Sequence, residues 1–262
     1  MYEFEFTKPA TVTEAKAILS EDSEATLLAG GQTLIPTLRQ RLAMPTQLVS
    51  LSAIAELQEI AATKGEITIG AGVTHARVAA EAAGFPALSQ MARGIGDHAV
   101  RNRGTMGGSV ANNDPSACYP AAVLACNATV LTDHREIEAE EFFEGMFSTV
   151  LEEDEIVTGI RFPIPVMAGY AKFKQPASHF ALAGVFVARF DIGVRVAVTG
   201  VSEDGVFRWT EAENALNTEF SRETLDSLSL PADDVIADVH ADAEYRAHLV
   251  GVMAKRAVAA AL

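Results

Sequence analysis

The chain has 262 residues, 49% of them apolar and 21% charged, a globular composition that excludes disordered and collagen-like classes. Twenty Lys and Arg against thirty-five Asp and Glu leave a net charge of −15, which argues against nucleic acid and anionic membranes as partners. An anionic cofactor stays open, because backbone N–H groups in an enclosed site bind phosphate without net positive charge.

The acidic, alternating start Met1-Tyr2-Glu3-Phe4-Glu5-Phe6 predicts no secretory leader. Thr11-Val12-Thr13-Glu14 has the capping-box pattern and opens a predicted helix in which Ala15, Ile18 and Leu19 recur at helical spacing. Residues 25–29 predict a short strand ending at Gly30-Gly31. Residues 33–42 predict a helix with Pro36 in its first turn, where a missing N–H does little harm. Ile67-Thr68-Ile69 alternates as a strand, and Thr74 can cap the alanine-rich helix behind it. Between 85 and 113 the periodicity fades into a glycine-rich segment; a helix over 120–127 and a strand over 128–132 follow. Pro163-Ile164-Pro165 and Gly169 mark a domain boundary. Beyond it, strands are expected over 170–174, 180–191, 194–201 and 206–210. Helices are expected over 211–216, after Ser221, and from 241 to the C-terminus, whose apolar stretch is too short to cross a bilayer. The fold class is α+β in two parts, and a cytoplasmic location is expected.

Two segments carry the functional signal. The first is Ala29-Gly30-Gly31-Gln32-Thr33-Leu34, between a predicted strand and a predicted helix. The second runs Arg101-Asn102-Arg103-Gly104-Thr105-Met106-Gly107-Gly108-Ser109-Val110-Ala111-Asn112-Asn113-Asp114. Adjacent glycines let consecutive N–H groups converge on an anion, and Thr33, Thr105 and Ser109 add hydroxyl donors. Two such loops facing each other suit a diphosphate; two unrelated tight turns are the simpler alternative. Gly70-Ala71-Gly72-Val73-Thr74-His75 nearly forms a dinucleotide fingerprint, but His75 replaces its last glycine, which disfavours a Rossmann fold. No Gly-Lys-Ser/Thr tripeptide is present for a Walker loop.

Together the two glycine loops resemble the FAD-binding medium subunit of molybdenum hydroxylases, the family of aerobic carbon monoxide dehydrogenase and xanthine dehydrogenase. Glu155-Ile156-Val157, Tyr170-Ala171-Lys172-Phe173-Lys174 and Ala243-Glu244-Tyr245-Arg246 extend the resemblance over nearly the whole chain. It implies an FAD-binding domain of the vanillyl-alcohol-oxidase (PCMH) type over residues 1–165, in α/β parts of about 1–56 and 57–165. A domain of three or four antiparallel strands with helices would fill 166–262. The implied cofactor contacts are Ala29, Gly30, Gly31, Gln32, Thr33 and Leu34 in the first loop, and Thr105, Gly107, Gly108 and Ser109 in the second. Ile95, Asn112, Asp114, Val157, Tyr170 and Lys172 complete the set, the last two beside the reacting ring. Two departures stand out: Cys118 where xanthine dehydrogenase relatives carry aspartate, and His179 where close relatives often place an acid.

Tyr170, Lys172 and Lys174 are spaced by two and share one face of a strand, so an aromatic ring and two ammonium groups are available to stabilise a reduced flavin. An exposed edge strand protected by lysines is the alternative reading. Six histidines show no ligand spacing, so no metal site is expected. Cys118 and Cys126 form no disulfide framework and match no iron–sulfur or zinc spacing. The molybdenum cofactor and [2Fe–2S] clusters of such an enzyme must then sit on a large and a small partner subunit, in an expected dimer of heterotrimers. Two other readings stay open on sequence alone: a stand-alone flavoprotein oxidoreductase of the same fold, and a non-catalytic interaction module that kept it.

Overall fold

The computed structural model describes residues 1–261; Leu262, the last residue of the predicted C-terminal helix, lies outside them. Strand β1 (Glu5–Thr7), helix α1 (Val12–Glu21), β2 (Thr26–Leu28), α2 (Leu34–Arg39) and β3 (Gln47–Ser50) make a parallel three-stranded sheet in the order β1-β3-β2. Helix α1 starts where its capping box predicts. Thr11 Oγ1 accepts the Glu14 amide at 3.1 Å, while the Glu14 carboxylate reaches back to the Ala10 amide at 2.7 Å. Gly31, at φ +70, makes the turn from β2 into α2, a conformation that disfavours any residue with a Cβ.

The second unit begins with β4 (Ile60–Ala62) and β5 (Glu66–Gly70). Helix α3 (His75–Glu81) is the alanine-rich helix expected behind Thr74, and where the sequence suggests only a glycine-rich segment over 85–113 three more follow: α4 (Pro86–Arg93), α5 (His98–Arg103) and α6 (Met106–Asn112). Helix α7 (Tyr119–Ala125), strands β6 (Thr129–Thr132) and β7 (Glu136–Glu138), helix α8 (Ala139–Phe142), the small pair β8 (Phe143–Gly145) and β9 (Ser148–Thr149), and β10 (Val157–Pro163) complete it. Its antiparallel sheet runs β4-β5-β10-β6-β7. Thr74 caps α3 as expected, and side-chain caps also start two of the helices that periodicity misses, Asp97 for α5 and Thr105 for α6, each accepting the amide three residues on.

After Pro163 the chain enters a third sheet, β11 (Met167–Lys174), β12 (Ala181–Phe190), β13 (Gly193–Thr199) and β14 (Phe207–Arg208), antiparallel in chain order. Helices α9 (Thr210–Thr218) and α10 (Ala243–Ala259) cover one face of it; α4 and α7 cover the other. Strand β12 therefore has no solvent side. Phe186 and Ala188 join the core of the second unit, while Val185 and Val187 join the core beneath α9 and α10. The predicted helix after Ser221 is a single short turn, Glu223–Leu225.

Candidate functional site

Both glycine loops line one cavity of about 530 Å³, within the ~300–1,000 Å³ usual for small-molecule sites. They are in mutual contact. A Cβ placed on Gly30 would lie 2.2 Å from the Arg103 carbonyl oxygen and 2.6 Å from Gly104 Cα; one on Gly107 would lie 2.3 Å from Ala71 Cβ. The glycines thus serve first to let backbone meet backbone. The near-fingerprint segment takes part as well: Thr74 and Thr105 form an isolated β-bridge, flanked by His75 N–H to Gly104 O at 2.9 Å and Met106 N–H to Val73 O at 3.0 Å.

The two loops differ in what they offer. The amides of Gly30, Gly31, Gln32 and Thr33 donate to no acceptor among the described residues, and the Thr33 hydroxyl caps nothing. In the second loop the amides are committed: Met106 to Val73, Gly107 to Ala71, Gly108 to Thr105 Oγ1 and Ser109 to the Thr105 carbonyl. What that loop presents is the Ser109 hydroxyl and the remaining capacity of the Thr105 hydroxyl. The first loop is accordingly the amide cradle and the second a hydroxyl-bearing wall. Thr105→Val is expected to leave the Gly108 amide without its cap, lowering stability by about 1 kcal/mol in a thermal or urea unfolding experiment.

Of the expected contacts, Ile95, Asn112, Asp114, Val157 and Lys172 also line this cavity, with every named residue of both loops. Tyr170 does not. Its ring packs 6.1 Å from that of Phe186, and its hydroxyl is buried without a hydrogen-bond partner, so strand alternation gave the face but not the depth. Burial, and then the neighbouring Cys118, push the Tyr170 phenol well above its ordinary range. Lys172 Nζ reaches Cys118 Sγ at 3.3 Å and the His179 carbonyl at 2.9 Å. Cys118 itself is placed by the third sheet: the Thr199 hydroxyl lies 2.8 Å from both the Pro115 and Ala117 carbonyls. Lys174 is exposed.

Three further groups line the cavity without having been singled out as contacts. His75 is buried, with its Nδ1 unpartnered; burial first, then the charge of Arg101, lowers its pKa to about 4. Glu155 has a buried carboxylate that takes a two-pronged bond from Arg135 at 2.8 and 2.6 Å, which is the main cause of its fall to about 2. Phe180 stands at the cavity half exposed. Among the described residues no group of three His, Cys, Asp or Glu could hold a metal ion, and no helix is long and apolar enough to cross a membrane.

Residues 2–165 match the family model of the FAD-binding domain in molybdopterin dehydrogenase. The chain belongs to this family. The FAD-binding chain is 33% identical to the carbon monoxide dehydrogenase medium chain of Hydrogenophaga pseudoflava over 98% of its own length and 96% of that protein's. It is 32% identical to the nicotine 6-hydroxylase medium subunit of Paenarthrobacter nicotinovorans, over 97% and 95%. Among solved structures it superposes on a chain of quinoline 2-oxidoreductase from Pseudomonas putida 86 with a TM-score of 0.89 at 27% identity, covering 98% of this chain and 96% of that one. A chain of the H. pseudoflava carbon monoxide dehydrogenase gives 0.87 at 33%, covering 99% and 97%. FAD is the cofactor of this oxidoreductase component, and the donor set fits it: open amides and hydroxyls for a diphosphate, apolar walls and one ammonium beyond.

Proposed function

We propose that this chain is the FAD-carrying medium subunit of a molybdenum hydroxylase. It would receive electrons from [2Fe–2S] clusters on a small subunit and deliver them to an external acceptor, while a large subunit holds the molybdenum cofactor and two such heterotrimers pair. The observation that carries this reading is the run of four open amides, Gly30 to Thr33, set against the Thr105 and Ser109 hydroxyls in one cavity. Neutral donors of this kind hold a diphosphate in a chain of net charge −15, where clustered lysines are not needed.

When bound, the flavin supplies the capacity to take up and release electrons, singly or in pairs. The residues of the chain do the rest. Gly30, Gly31, Gln32 and Thr33 grip the diphosphate through their amides. Thr105, Ser109 and Asn112 would complete the polar wall, with Gly30 and Gly108 letting the two loops meet and Gly107 seating the second loop on Ala71. Ala29, Leu34, Ile95 and Val157 give apolar walls that exclude water. Lys172, held by Cys118 and the His179 carbonyl, would offer a positive charge to the ring, with Tyr170 packed on Phe186 behind it. Asp114, whose pKa burial raises, sits where the second loop ends. The change of sheet between Pro163 and Met167 supports a domain boundary at 165, and two buried, unpaired cysteines support a cytoplasmic location.

The relatives are named for different substrates, nicotine, carbon monoxide and caffeine, which supports a substrate set on another subunit. Co-purified with its partner subunits, the chain is expected to carry one FAD whose visible absorbance bleaches when a substrate of the molybdenum subunit is added. A colourless preparation that stays colourless with added FAD would overturn this reading.

A further inference from the structure

The hairpin of β8 and β9 turns its apolar residues both ways. At its base Phe142 is fully buried and meets Phe143 edge to face at 5.1 Å, and the Val150 amide donates to the Phe142 carbonyl at 3.2 Å. At its tip Met146 and Phe147 are 41% and 56% exposed. Phe147 also sits at φ +56, a left-handed conformation that a bulky residue rarely adopts, and its half-exposed ring gains little packing there. The tip is nonetheless held firmly. The buried Asn113 donates from Nδ2 to the Gly145 and Ser148 carbonyls at 2.7 and 2.9 Å, and its backbone carbonyl accepts the Phe147 amide at 3.1 Å. An exposed aromatic on a braced turn loses little further freedom on binding, so it suits contact with another protein.

Charge indicates what that protein presents. Residues 136–160 hold nine acids and no Lys or Arg. Exposed Glu141 and Glu144 lead into the tip. The exposed acids Glu203 and Asp204 approach it from the third sheet, where a Cβ on the next residue, Gly205, would lie 3.7 Å from the Gly145 carbonyl. A two-fold contact between copies of this chain would set these acids against each other. We propose that Met146 and Phe147 form a docking knob for a partner subunit that offers an apolar socket rimmed by Lys and Arg. This rests on the medium-subunit reading.

The test is the affinity of the purified full chain for its large and small subunits, offered separately and together, with the melting temperature of the free chain read alongside. Phe147→Gly and Phe147→Asn, which both accept the left-handed turn, are expected to melt at or above the parent yet bind about tenfold more weakly or worse. Phe147→Tyr, which keeps both ring and strain, should bind as the parent does. Glu144→Lys combined with Glu203→Lys should weaken binding and flatten its fall with rising salt. Parent-like affinity in Phe147→Gly and Phe147→Asn would overturn the proposal, as would loss of self-association in these variants with subunit binding intact. A parent chain that joins no other subunit would refute the medium-subunit reading, and the proposal with it.

Discussion

Gly30→Ala is expected to strip the protein of FAD and to lower its stability by about 1–3 kcal/mol, the usual cost of forcing atoms into a packed site. The new methyl would lie 2.2 Å from the Arg103 carbonyl oxygen and 2.6 Å from Gly104 Cα, so the amide cradle must swing away from the hydroxyl wall. Neither neighbour is a side-chain tip that could rotate clear. Gly107→Ala should act almost as strongly, though not by blocking a phosphate: its methyl meets Ala71 at 2.3 Å. Gly108→Ala is milder, with Thr105 Oγ1 at 2.9 Å and Ala29 Cβ at 3.2 Å, and Gly84→Ala has open space around it. Bound FAD per chain together with the melting temperature checks this order. Equal flavin content in all four variants would refute it.

Acid should destabilise the protein through His75. Its pKa is near 6.5 unfolded and about 4 folded, so the unfolded chain binds the extra proton between those values. The stability it contributes is complete above pH 6.5 and is lost as the pH falls toward 4, amounting to about 3 kcal/mol. Because the Nδ1 atom has no partner, His75→Leu removes the titration without orphaning another group. Urea unfolding at about pH 7 and about pH 5 should show a fall in the parent and a much smaller fall in His75→Leu. An equal fall in both would sink the assignment. Glu155 acts lower, since its contribution is lost only as the pH falls from 4.5 toward 2.

The sequence made some of this legible and hid the rest for identifiable reasons. Thr11 and Thr74 could be read as caps because a hydroxyl before an apolar run has one common use, and β12 could be read because eight successive residues without a polar side chain, Ala181 to Ala188, need two covered faces. Helices α4, α5 and α6 escaped because six to eight residues give too few turns for a period to emerge. The cap at Asp97 was the available signal. At the site, spacing showed which residues share a loop or a strand face, but it could not show depth. Hence Lys172 reaches the cavity and Tyr170, two residues before it, does not. Nor could spacing show that the second loop spends its own amides on Val73, Ala71 and Thr105. His75 looked like a broken fingerprint, and its backbone is in fact tied to Gly104.

The walls of the cavity are drawn from residues as far apart in the chain as Thr26 and Phe180. Whatever fills that space clasps all three sheets at once, because the parallel sheet supplies the first loop, the five-stranded unit the second, and the hairpin of β11 and β12 the lysine. Ligation energy then adds to the shared core and the ion pairs, such as Lys16 with Asp133 and Arg195 with Glu140, that already join these units, rising with free ligand as RT ln(1 + [L]/Kd). Loaded protein should therefore melt in a single transition, and emptied protein should come apart in stages, its first cuts by a protease falling in the turn between β11 and β12.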